Sequence, residues 1–144
     1  MVAERKTTYN LNLGHLYFYL KRYHEISALV LPITPDFPVL YLTAQRILLK
    51  TYYISIAQSY DRLENALDTY QHYLYATKRI IAPHNREGNL NFVKALRFIA
   101  QATTFKNRPS RKLVIAKAQK IMATNGFISD KGWLNDQIDA LLKI

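Results

Sequence analysis

Apolar positions at Leu13, Leu16, Tyr17, Phe18, Leu20, Tyr23 and Ile26 follow helical spacing. A similar pattern returns 36 to 37 residues later at Leu49, Tyr52, Tyr53, Ile54, Ile56, Tyr60 and Leu63. A helical pattern with that period marks stacked helix-turn-helix units, each burying a face that it cannot bury alone.

The spacing predicts a first hairpin from 8–20 and 24–31. Pro32 and the Pro35 to Pro38 turn close it, because proline removes a backbone donor and restricts the residue before it. A second hairpin runs from about 39 to 57 and resumes at Asp61. There Asp61-Arg62-Leu63-Glu64 has the form of a capping box, and Leu63, Leu67, Tyr70 and Leu74 supply a stripe for packing. Ala82-Pro83-His84-Asn85 is expected to end it. A third hairpin pairs 89–104 with 110–124, with Phe98 and Phe105 repeating the seven-residue spacing of Tyr53 and Tyr60. Asn125-Gly126 then predicts a left-handed stop, and a short helix near 131–143 is expected to bury Leu134, Ile138, Leu141 and Leu142 as a cap. No period-two segment long enough for a strand interrupts the series. The expected fold is one all-α domain over 1–144, a right-handed stack of three helical hairpins plus a C-terminal capping helix.

Within the first unit, Leu13, Gly14, Tyr17 and Tyr23 resemble a tetratricopeptide repeat, whose first helix carries a Leu-Gly pair, an aromatic three residues on, and a second aromatic at the turn. The resemblance covers residues 8–33, with a degenerate echo to about 80. It departs from the family at Asn10, where Trp is usual, at Ile26 in place of Ala, and at Lys50 where the second unit should have Gly. The stretch 46–99 is also similar to the helical C-terminal part of bacterial proteins of unassigned activity. What the tetratricopeptide resemblance implies is a close helix contact at Gly14, aromatic packing at Tyr17 and Tyr23, and a concave groove lined by first helices. Carried over by spacing, that groove takes Leu11, His15, Phe18 and Tyr19 from the first unit and Ile47, Thr51 and Ser55 from the second. The basic and Asn side chains with which some family members clamp a peptide carboxylate are missing there, so an apolar or mixed peptide is the implied ligand. If the chain starts at Met1, the first hairpin is expected to expose a partly apolar outer face, favouring self-association or cover by an upstream segment.

Composition narrows the class. A chain of 144 residues can bury roughly 70% of the surface its unfolded form exposes. It has no Cys, hence no disulfide framework and no thiolate nucleophile or ligand. The N-terminus Met-Val-Ala-Glu-Arg-Lys has no apolar core of a secretion signal, and Val39 to Ala57 is interrupted by Gln45, Arg46 and Lys50 before it reaches spanning length. A cytoplasmic protein without a membrane span is expected.

Charge and aromatics are unevenly placed. All eleven Tyr lie between 9 and 75, at spacings that suit packing between helices with hydroxyls at the rim. Net charge is +10, and between Glu87 and Asp130 the charged residues are Lys94, Arg97, Lys106, Arg108, Arg111, Lys112, Lys117 and Lys120. These are either an ordinary solvated face or an electrostatic surface for nucleic acid, acidic protein or anionic lipid. Arg108-Pro109-Ser110-Arg111-Lys112 reads more simply as a helix start than as a basic motif.

Catalytic and metal signatures are weak. His15, His24, His72 and His84 lack ligand spacing, so no metal or cofactor is expected. Asp61 and Glu64 are accounted for by a helix start, leaving Asp68 alone for acid-base work. Four Gly at 14, 88, 126 and 132 build no phosphate loop, and Gly-x-Ser-x-Gly is absent. The expectation is a non-catalytic helical-repeat scaffold that binds a protein or peptide. The alternative is a nucleic-acid-associated helical protein using the 94–120 surface.

Overall fold

Helix formers rather than apolar period decide where the chain first becomes regular. Ala3, Glu4, Arg5 and Lys6 all have good helix propensity, and Glu4 sits in the first turn, where a negative charge suits the helix dipole. In the computed structural model, which describes residues 2–124 and 126–144, α1 therefore spans Val2–Tyr19 and starts well before the expected residue 8. A 3-10 turn (Tyr23–Glu25) and a short α2 (Ile26–Val30) follow. The remaining helices are α3 (Pro38–Ile54), α4 (Ile56–Ala76), α5 (Pro83–Ala102), α6 (Arg108–Met122) and α7 (Lys131–Leu142). The protein is all-helical, with seven α-helices and no strand among the described residues.

The chain groups into two compact units, Met1–Ala66 and Leu67–Ile144. In the first, α1 packs on α2 and α3 around Leu11, Ile26, Val30, Ile33, Ala44, Ile47 and Leu48, with Tyr17, Phe18 and Tyr23 against their edge. Gly14 provides the close approach that the sequence leads one to expect: a Cβ there would lie 3.1 Å from Val30 Cγ1. The end of α1 is a two-bond reversal. Lys21 N–H donates to Phe18 O (3.1 Å) and Arg22 N–H to Tyr17 O (2.8 Å), with Lys21 at φ 61° between them. Arg22 also pairs with Glu25, and that hydrogen bond holds the Glu25 carboxyl below its usual range.

In the second unit α5 and α6 form an antiparallel pair, and α7 packs on both. Phe92, Val93, Leu96 and Ile99 of α5, Val114, Ile115 and Ala118 of α6, and Leu134, Ile138 and Leu141 of α7 are buried. Leu142, expected among them, is only partly so. Tyr70 Oη donates to Asn89 Oδ1 at 2.5 Å, giving two buried polar side chains a shared bond.

Several boundaries differ from expectation for local reasons. A kink at Ser59 (φ −157°, ψ 57°) divides α4, so the helical segment of Leu63 and Leu67 begins just after it, close to the expected start at Asp61. Pro83 starts α5 instead of ending the previous helix, because a proline at the first helical position has no N–H to leave unpaired. Asn107 caps α6, which starts at Arg108 rather than at the expected 110: its side chain accepts from Ser110 N–H at 3.2 Å. Of the expected left-handed stop, Asn125 lies outside the described residues and Gly126 has no positive φ; the left-handed residue before α7 is Asp130 (φ 55°).

Candidate functional site

The residues assigned to a groove do not share a surface. Leu11, Ile47 and Thr51 are buried, the first two inside the packing of α1 on α3, and the Thr51 hydroxyl is turned back onto Ile47 O at 2.8 Å. Phe18 is partly covered, packs edge-on to Tyr23, and has Lys50 Nζ 4.9 Å from its ring centre. His15, Tyr19 and Ser55 are exposed, Ser55 as the residue that ends α3. The Leu11, Gly14 and Phe18 side of α1 faces the core, so Leu11 and Phe18 pack inward while His15 and Tyr19 stay exposed.

The opposite side of α1 is apolar too. Val2, Tyr9, Leu16 and Leu20 are 77%, 66%, 49% and 50% exposed, Leu13 is partly exposed between them, and Tyr19 alongside is 82% exposed. A soluble helix with one buried stripe normally presents polar residues on the other side, so a second apolar stripe marks a contact face. The sequence carries this signal in the seven-residue spacings Val2-Tyr9-Leu16 and Leu13-Leu20. No part of this stripe except Tyr19 belongs to the groove set.

The basic set separates into structural and available charges. Arg97 binds Asp68 (2.5 Å) and Gln71 (2.9 Å), so its charge is locally matched. Arg111 is buried and its guanidinium donates to Ile144 O at 2.7 Å and more distantly to Phe105 O. Lys94, Lys106, Arg108, Lys112, Lys117 and Lys120 are exposed. On α6, Arg108, Lys112, Lys117 and Lys120 lie on the solvent side, away from Val114, Ile115, Ala118 and Met122, and Lys117 Nζ stands 5.8 Å from the Phe98 ring centre. No acidic residue interrupts them between Glu87 and Asp130.

Among the described residues no group of three His, Asp or Glu is placed to hold a metal ion, and no helix is long and apolar enough to cross a membrane. A shallow hollow of 240 Å³ beside Glu4, Asp36, Phe37, Pro38, Val39 and Leu40 falls short of the roughly 300 to 1,000 Å³ of small-molecule sites. Two exposed surfaces stand out among the described residues: an apolar stripe on α1 and a cationic side of α6. No family model, curated protein or solved structure matches this chain.

Proposed function

We propose that the chain is a non-catalytic helical module that binds another protein, and that the outer face of α1 is its contact face. The observation that carries this reading is the solvent-facing stripe of Val2, Tyr9 and Leu16, continued by Leu20 at the helix end, on a helix whose other side is already packed. Tetratricopeptide-like right-handed stacking belongs to the same proposal, supported by Gly14 against Val30 and by Tyr17 and Tyr23 at the core edge. The test is retention of proteins by the immobilised chain at about 0.5 M salt, where charge attraction is screened to a few ångströms. Retention that persists there and is lost in Leu16→Glu is expected; equal retention by both forms overturns the assignment to α1.

A second reading has its own observation: Lys94, Lys106, Arg108, Lys112, Lys117 and Lys120 are exposed in a segment without carboxylates. Such a surface binds nucleic-acid backbone with little sequence preference, because no base-reading element accompanies it. If four of them contact phosphates on duplex DNA, the log-log salt slope is about −3.6. Fluorescence anisotropy with Lys112, Lys117 and Lys120 changed to Glu decides it: unchanged affinity removes this reading, whereas α1 variants should leave the slope alone.

A further inference from the structure

The outer face of α1 has a register as well as a composition. Val2, Tyr9 and Leu16 are seven residues apart, Lys6, Leu13 and Leu20 are seven apart, and the two rows are offset by four. Alternating four- and three-residue steps form the seam by which one helix packs knobs into holes of another. Leu11, Gly14 and Phe18 lie on the far side of the same helix, in or against the core, so the seam is extra to the fold. Such a seam accepts a helix with matching steps.

We infer that a second copy of this chain covers that seam, with the two α1 helices antiparallel. The inference rests on the reading of α1 as a protein-binding face and names the partner. The seam is its own complement in register, and charge selects the direction. Turned antiparallel about the midpoint of Tyr9 and Leu13, the helix meets its own copy as Val2 on Leu20, Lys6 on Leu16 and Tyr9 on Leu13. The one charge in the seam then lays its methylene stem over a leucine with the ammonium reaching past the edge. Parallel pairing would instead stack Lys6 on Lys6 inside the seam, two like charges in one layer. On the flanking row the antiparallel register brings Arg5 to the exposed Tyr19 of the other copy, a cation-π arrangement, and Asn12 to Asn12 near the two-fold axis.

Covering the stripe on both copies removes roughly 1,000 Å² from water, at the lower edge of specific interfaces, the size class of weak, reversible pairs. With +10 on each copy, long-range repulsion opposes pairing. Dimerisation should therefore strengthen as salt rises, opposite to polyanion binding on α6.

Sedimentation of the full chain between about 1 and 500 μM tests the inference across the range expected for an interface this small. A reversible monomer-dimer equilibrium is expected, shifted at least about tenfold toward monomer by Leu16→Glu and, separately, by Tyr9→Glu, with helical circular dichroism unchanged because both side chains are already exposed. The chain has no Cys, so single cysteines report direction. Each Val2 is nine residues from the centre, which puts the antiparallel pair roughly 27 Å apart along the axis at 1.5 Å per residue. A short bismaleimide should join Asn12→Cys to its copy and leave Val2→Cys unjoined; joining at 2 and not at 12 overturns the antiparallel register. Wild-type chain that stays monomeric throughout overturns the second copy as partner. In that case loss of retention of some other protein by Leu16→Glu would keep the protein-binding face, and unchanged retention would remove both.

Discussion

Arg22 closes the end of α1 against Tyr17 twice, with its backbone N–H on the Tyr17 carbonyl at 2.8 Å and its guanidinium 4.6 Å from the centre of the Tyr17 ring. The bond pattern is the one usually built around glycine at the preceding position, yet Lys21 occupies it at φ 61°. A side chain in that conformation costs about 1 kcal/mol or more. Lys21→Gly should therefore raise stability by about 0.5 to 1 kcal/mol, read as a higher urea midpoint; a lower midpoint would mean that the reversal does not hold.

Gly14 sets two effects against each other. Alanine gains about 1 kcal/mol of helix propensity, but its Cβ meets Val30 Cγ1 at 3.1 Å and Val30 must yield by a few tenths of an ångström. Gly14→Ala is expected within about 0.5 kcal/mol of wild type, whereas Gly14→Leu should lose about 1 to 3 kcal/mol by overpacking. Thermal melts of the pair suffice, and equal stability of the Leu variant contradicts the contact.

Arg111 and Lys112 are adjacent cations with different duties. Removing Arg111 deprives Ile144 O and Phe105 O of their donor, and Arg111→Ala should cost about 1 to 3 kcal/mol. Lys112 is exposed, so Lys112→Ala should stay within about 0.5 kcal/mol. Urea unfolding of the two single variants gives the comparison.

Burial pushes the Tyr53 phenol from 10.0 up to about 12, and burial raises Tyr41 as well. The folded state thus favours the neutral phenol. Its contribution is complete below pH 10 and declines as pH rises from 10 to about 12, where the unfolded chain has released a proton that the native one still holds. Two pH units correspond to about 2 to 3 kcal/mol. In Tyr53→Phe the alkaline loss of stability should be shallower by that order, measured by urea unfolding from pH 9 to 12; identical slopes would place Tyr53 in water.

Much of the second unit was legible because α5, α6 and α7 each carry one apolar stripe, and Leu96, Ile115 and Ile138 fall on it. α1 was harder for a definite reason. It carries stripes on two sides, and periodicity reports that a helix has apolar rows without saying which row meets the core; family spacing then chose Leu11 as groove although it is core. Its start was missed because Ala3 to Lys6 favour helix by backbone propensity and show no apolar period. Arg111 looked like its neighbours because the carbonyl that claims it lies 33 residues away. Lys21 gave no sign of its conformation, since glycine is the residue by which such reversals are read.

Packing of helices on their sequence neighbours, α1 with α2 and α3, and α5 with α6 and α7, bears on how quickly the chain finds its structure. Most loops that must close are short, so little entropy is lost before contacts form, and chains of this kind fold in microseconds to milliseconds. Each unit should reach its native helices on that timescale. Slower unimolecular steps are expected from re-isomerisation at the five prolines, and only a step whose rate rises with protein concentration would report the meeting of chains.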